Sequence, residues 1–235
     1  MQEAPFILVT GASSGVGYAT VNSLIREHGA RVLALSRNKA ALQQLLSENS
    51  TTGRLEIRSI DIAAPDAPNS VLAMIGDRRV HGVVHNAGSL LKAELGSYTL
   101  ADLGDLYATN VFAPLLLTQA IAPALAGTPP GHVVHIGSMG GFQDSAKFPG
   151  LAAYSASKAA LACLAQCVAE EYKEKGIRSN CLALGAVATP MLAQAFPGYK
   201  APTTADEMGR YVARFVLEGH NYFNGKVLPL ATTTP

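Results

Sequence analysis

Charge is scarce in this chain, and so is cysteine. Asp, Glu, Lys and Arg make up 15% of the 235 residues and leave a formal net charge of +1, with the cations scattered along the sequence. Nucleic-acid binding draws on a stripe of Lys and Arg, so that partner class is not expected. No apolar run is read as reaching the length of a membrane span, because the longest are broken by polar residues, Gly or Pro, and no membrane partner is expected. Met1 to Pro5 is short and polar and lacks the charged stretch and cleavage site of a secretory leader, so a cytoplasmic location is expected. Cys163, Cys167 and Cys181 are an odd number of thiols, which fits a reducing compartment. Cys163 and Cys167 lie one helical turn apart, a spacing a metal site could use. No His or acidic cluster accompanies them, so they are read as buried free thiols and no metal is expected. No Pro/Gly/Ser-rich linker and no internal repeat divides the chain. Residues 1–235 are therefore expected to form one domain.

What the chain has is apolar residues, 49% of the total, arranged in alternating short and long runs. Phe6 to Val9 reads as a buried strand. Thr10-Gly11-Ala12-Ser13-Ser14-Gly15-Val16-Gly17 follows, then a helix over Tyr18 to His28 stopped by Gly29, then a strand over Arg31 to Leu35. Strand, glycine turn, helix and strand in roughly thirty residues is the size of a βαβ unit. In that setting the glycines let the backbone turn tightly and approach a ligand, and they aim a helix N-terminus at negative charge. The spacing is G-x-x-x-G-x-G. Further strands are expected over Leu55 to Ile60, Val80 to His85, Gly131 to Ile136, Arg178 to Leu184 and Lys226 to Leu230. Helices are expected over Lys39 to Glu48, part of Pro65 to Ile75, Leu100 to Ala126, Ala152 to Lys175 and Thr203 to Glu218. Alternation of this kind predicts an α/β fold: a Rossmann-type doubly wound parallel sheet of about seven strands with helices on both faces.

Such sheets bind ligands at the carboxyl ends of their strands. Ser36-Arg37, Asp61-Ile62, Asn86-Ala87-Gly88 and Ser138 fall at those ends and are expected to line one cleft. At the end of the second strand a carboxylate would hold the ribose hydroxyls of NAD. Here Ser36 tolerates a 2′-phosphate and Arg37 can pair with one, so NADP(H) is the preferred cofactor and NAD(H) the alternative. Arg37 as a solvated cation, Asp61 as a turn residue and Asn86 as a turn stabiliser are the structural alternatives.

Tyr154 and Lys158 open an alanine-rich helical run at i and i+4, so both point to one place. A phenol titrates near ~10, and a nearby ammonium favours its ionised form. The pair could move a proton to or from a substrate oxygen.

With these motifs in register, the chain resembles the short-chain dehydrogenase/reductase family in its common single-domain form. The glycine turn, Asn86-Ala87-Gly88 and Arg178-Ser179-Asn180 match family motifs, and Asn110, Ser138, Tyr154 and Lys158 match its catalytic tetrad. The resemblance implies that Tyr154 exchanges the proton and that Lys158 lowers the phenol pKa and binds the nicotinamide ribose. It also implies that Ser138 hydrogen-bonds the substrate oxygen and that Asn110 holds a water linked to Lys158. Gly11, Ser13, Ser14, Gly15, Val16, Gly17, Val187 and Thr189 would contact cofactor. Three departures stand out: Leu184-Gly185 where the family usually has Pro-Gly, His85 where a second Asn is frequent, and a slightly longer segment between Ser138 and Tyr154.

The implied function is hydride transfer between a nicotinamide and a carbonyl or secondary alcohol. The alternatives are a dinucleotide sensor or scaffold without turnover, and an NAD-dependent alcohol dehydrogenase. Leu90, Leu91, Met139, Phe148, Met191, Leu192, Phe196 and Tyr199 are expected around a mostly apolar small-molecule substrate. Leu115-Leu116-Leu117 and Ala159 to Val168 are apolar on more than one face, which predicts a homodimer or homotetramer.

Overall fold

The computed structural model describes residues 4–232. Part of the leader expectation, at residues 1–3, lies outside the described residues. Nine strands and eight α-helices make up this span: β1 (Phe6–Thr10), α1 (Gly15–Arg26), β2 (Arg31–Ser36), α2 (Lys39–Glu48), β3 (Leu55–Ser59), α3 (Ala67–Ile75), β4 (Gly82–His85), α4 (Leu100–Tyr107), α5 (Ala113–Leu125), β5 (Gly131–Ser138), α6 (Ala152–Glu171), β6 (Ile177–Leu184), β7 (Val187–Ala188), α7 (Pro190–Ala195), β8 (Thr203–Thr204), α8 (Ala205–Glu218) and β9 (Val227–Leu230). Seven strands form one parallel sheet in the order β3-β2-β1-β4-β5-β6-β9. The chain winds outward from β1 to β3, returns to β4 beside β1, and winds out the other way. The strand order therefore reverses between β1 and β4, where a crevice opens at the carboxyl ends.

Both faces of the sheet are covered, which is why its strands read as continuous apolar runs rather than alternating ones. Ile7 and Val9 face Leu24 of α1, Leu42 of α2 and Val212 of α8. Phe6 and Leu8 face Val71 of α3 and Leu117 and Ile121 of α5. Burying each such side chain contributes about 1.5–3 kcal/mol.

Several boundaries differ from the sequence reading. α1 starts at Gly15, ahead of the expected Tyr18, so two glycines lie in its first turn. The expected long helix over Leu100 to Ala126 is interrupted by a π turn over Ala108–Phe112. Pro114 has no N–H to give the Asn110 carbonyl four residues earlier, so the regular ladder fails there. α6 ends at Glu171, and β7 and β8 form a two-residue parallel pair that the sequence did not signal.

Two expectations are overturned. Cys163 and Cys167 are exposed and only Cys181 is buried. The sheet-facing stripe of α6 is Leu161, Ala165, Val168 and Ala169, and the two thiols sit on the opposite side of the helix. The stretch Leu100–Leu125 is long and apolar enough, by length and composition alone, to cross a membrane. Here Leu106, Leu117, Ile121 and Leu125 from it are buried in the protein core.

One row of the sheet is polar. Register aligns His85, His135 and Cys181 on β4, β5 and β6. The two imidazoles stack with centroids 5.0 Å apart, and His85 Nε2 lies 2.8 Å from Thr118 Oγ1. Neither nitrogen of His135 has a hydrogen-bond partner among the described residues. Burial lowers the pKa of His85 and of His132 to about 3 and holds His135 well below the usual imidazole value. The unfolded chain titrates near ~6.5, so it binds more protons than the folded state between the two values. Stability from these neutral rings is therefore complete above ~6.5 and is lost as the pH falls toward 3. The three together approach a slope of about 4 kcal/mol per pH unit. Thermal melts between pH 7.5 and pH 5 should show a steadily falling midpoint; a flat midpoint would contradict burial of neutral rings.

Candidate active site

The crevice is a cleft of 380 Å³. Its floor is backbone, and the reason is steric. Gly11 and Gly15 adopt φ of +66° and +55°, conformations glycine tolerates. A Cβ on Gly17 would lie 2.3 Å from Asn86 Nδ2 and 2.4 Å from the Gly11 carbonyl. A Cβ on Gly88 would reach 3.3 Å from Lys158 Nζ. The N-terminus of α1 begins at this bare surface, with its first N–H groups lacking intrahelical partners. These features fit the pyrophosphate of a dinucleotide: close backbone approach, free donors and the positive end of a helix.

Asn86 shapes that turn. Its Nδ2 donates to the carbonyls of Thr10 and Gly11 at 3.1 and 3.0 Å. Thr10 Oγ1 in turn accepts from the N–H groups of Asn86 and Ala87. At the end of β2 the Ser36 hydroxyl donates to Ser13 Oγ at 2.8 Å. The Arg37 guanidinium is exposed and 4.0 Å from Asp61, whose Oδ1 accepts from Ala63 N–H.

At the other end lie Tyr154 and Lys158, both buried. Lys158 Nζ donates to the Ile136 carbonyl at 2.9 Å and lies 5.9 Å from the Tyr154 ring centroid. The Ser138 hydroxyl lies close enough to the phenol to favour its ionised form and accepts from Gly140 N–H at 3.1 Å. Burial raises the Tyr154 pKa above its ordinary value, and the Ser138 hydroxyl opposes this. Burial also lowers Lys158 to about 8, with Cys181 acting in the opposite sense. The ammonium is not among the groups that shift the phenol here: Lys158 donates to the Ile136 carbonyl, not to the hydroxyl.

Of the expected site residues, Gly11, Ser13, Ser14, Gly15, Val16, Ser36, Arg37, Asp61, Ile62, Asn86, Ala87, Gly88, Ser138, Tyr154, Lys158, Val187 and Thr189 line the cleft. Gly17 and Asn110 do not. Asn110 is buried behind the wall, accepting from Ser89 N–H at 2.8 Å and donating to Ser89 O and to Ser157 Oγ, both at 2.9 Å. Thr109, its neighbour in the π turn, reaches the cleft instead. Thr189 caps α7 by accepting from Leu192 N–H at 3.2 Å. Leu184 continues β6 in register with Ser138 and Leu230. Leu91 and Tyr199, expected near substrate, are not on the lining, whereas Leu151 is. No motif marked Leu151 or Thr109; only the fold brings them in.

Comparison with known proteins agrees with this geometry. The profile of the family described as short chain dehydrogenase matches residues 5–200. An uncharacterised oxidoreductase of Escherichia coli is 36% identical over 216 residues, covering 88% of this chain and 84% of that protein. A fatty acyl-CoA reductase of Mycobacterium tuberculosis is 31% identical over 212 residues, covering 85% of this chain and 69% of that protein. Among solved structures, an NADP active-site complex of Pseudomonas aeruginosa RhlG matches with a TM-score of 0.85 at 26% identity, over 96% of this chain and 94% of that one. The chain belongs to the short-chain dehydrogenase/reductase family, whose members are NAD(P)-dependent oxidoreductases.

A buried ammonium with its pKa depressed from 10.5 to about 8 penalises the folded state below pH 8. The penalty is relieved as the pH rises from 8 toward 10.5, because there the unfolded chain binds the extra proton. Its upper size is about 3 kcal/mol. Lys158→Met should therefore raise the melting midpoint at pH 7 and flatten its rise toward pH 9. A lower midpoint would mean that the bond to Ile136 outweighs burial.

Proposed function

We propose that the chain, acting as one dinucleotide-binding domain, is an NADP(H)-preferring carbonyl reductase or secondary-alcohol dehydrogenase. The observation that carries this reading is the Tyr154 phenol, held protonated by burial and sharing the cleft lining with Ser138, with a glycine turn at the cleft's other end. A bound nicotinamide supplies or accepts the hydride at the substrate carbon. In reduction, Tyr154 gives its proton to the substrate oxygen as negative charge develops there, and the Ser138 hydroxyl donates to the same oxygen. A phenol with a raised pKa keeps its proton at neutral pH, which suits this direction. Lys158 supports the phenolate that remains, and Asn110 braces the wall behind it through Ser89 and Ser157.

Ser36 and Arg37 support NADP over NAD. The Ser36 hydroxyl already engages the turn, and among the described residues the exposed guanidinium is held only by a surface contact to Asp61. A 2′-phosphate offers it a shorter, charge-assisted partner. Three free thiols fit a reducing compartment. Exposed Phe112, Leu115 and Leu116 support pairing of α5 with another copy of the chain.

Tyr154→Phe should lower kcat by about 100- to 10,000-fold while NADPH still binds. Arg37→Ala should weaken NADPH binding by about tenfold and leave NADH binding unchanged. Full activity in the first variant would end the assigned role of Tyr154. Wild-type preference for NADH would reassign the cofactor.

A further inference from the structure

Three segments from different parts of the chain close the apolar end of the cleft. They are the loop 86–99 after β4, the loop 139–151 before α6, and α7 with Phe196. None belongs to the seven-stranded sheet, and side chains tie them together. Lys92 Nζ donates to the carbonyl of Ala195, the last residue of α7, at 2.8 Å. The same ammonium lies 5.6 Å from the Phe196 ring centroid. Phe196 meets Phe148 edge to face, with centroids 5.3 Å apart and planes at 78°. The Gly150 carbonyl accepts from Ala93 N–H at 2.9 Å, and the Tyr98 hydroxyl lies 3.0 and 3.3 Å from the carbonyls of Ala93 and Gly150. Gly150 has φ of +81°, and a Cβ there would come within 3.2 Å of Lys92 Cγ. A side chain at 150 would therefore require the Lys92 stem to shift by a few tenths of an ångström.

We propose that Lys92, Phe148 and Phe196 form a latch that fixes the far wall of the substrate pocket and restricts the enzyme to short, uncharged carbonyl compounds or alcohols. The proposal rests on the oxidoreductase reading above. Phe148 and Phe196 line the cleft, and Lys92 stands behind them. A dinucleotide would take the glycine-turn end of the cleft. The room left beyond Tyr154 and Ser138 is bounded by Phe148, Leu151, Met191 and Phe196. A longer chain would press on the two phenyl rings that line this end. Parting them displaces Phe196, and with it both contacts of Lys92, because Ala195 and Phe196 are adjacent. Neither Lys92 nor Lys147 is free to hold an anionic substrate. Lys92 is committed to Ala195 O, and Lys147 is turned to Phe142 O and Ser145 Oγ at 2.7 and 2.9 Å.

Two measurements test the latch, and the first does not depend on turnover. Hydrogen exchange of the Ala193 and Phe196 amides, bonded within α7 to Thr189 O and Leu192 O, should speed up by about tenfold in Lys92→Met and in Phe148→Ala. The Glu207 amide at the start of α8, bonded to Thr204 Oγ1, should not change. Unchanged exchange at α7, or an α7 already unprotected in the wild type, would overturn the latch. The second measurement is kcat/KM for aldehydes from four to twelve carbons with NADPH. The wild type should favour the short members, and Phe148→Ala should shift the long-to-short ratio by at least about tenfold toward the long ones. An unshifted ratio would overturn the size limit. If the wild type reduced none of the aldehydes while α7 exchange responded as expected, the carbonyl-reductase reading would fall and the latch would stand.

Discussion

The site depends on one junction, where β1 and β4 lie side by side and their chains leave in opposite directions. Four hydrogen bonds hold it: two from the Asn86 amide to the carbonyls of Thr10 and Gly11, and two into Thr10 Oγ1 from the N–H groups of Asn86 and Ala87. Buried backbone polar groups need partners, and at a strand-order reversal the sheet ladder cannot supply them. An Asn side chain does so instead. The same amide forbids a side chain at residue 17, so the glycine turn and the β4 loop are fitted to one another. Without that fit, α1 would not start at the cleft and the bare floor would not exist.

From that junction the two ends of the cleft follow different electrostatic rules. The glycine-turn end is open backbone with donors facing out. The Tyr154 end is closed, and burial there opposes ionisation of phenol and ammonium alike. A neutral phenol near a reluctant cation is a poised pair, since any negative charge arriving on a neighbouring oxygen stabilises the ammonium and draws the proton from the phenol. The cost falls on stability, as is common where a group is held for chemistry rather than for packing.

Much of this was legible in the sequence because it is local. The glycine turn sits between a strand and a helix, Tyr154 and Lys158 share a helix face by spacing, and Ser138 ends a strand. The seven-stranded sheet followed from alternating apolar runs. What escaped depends on which way a helix face turns or on contacts distant in sequence. Cys163 and Cys167 lie among Leu and Ala, and composition suggested burial, but their phase on α6 points them outward. Asn110 sits behind the cleft wall in a π turn that periodicity did not reveal. Lys92 and Ala195 are 103 residues apart, and no pattern links them. The β7–β8 pair is too short for periodicity to reveal.

The π turn also sets the orientation of everything that follows it on the same rod. An α-helix advances about 100° per residue, and a π turn accommodates one residue more than a regular turn. That surplus residue acts as a phase shifter between α4 and α5. With it, Leu117 and Ile121 meet the sheet, Thr118 reaches His85, and Leu115 and Leu116 face outward. Winding these same residues as a regular α-helix, with none deleted, would rotate the second half of the rod by about 100°. Leu117 and Ile121 would then turn away from the sheet without any change in composition. The division of this helix between core and exterior thus depends on the winding of a five-residue segment as well as on the pattern of leucines.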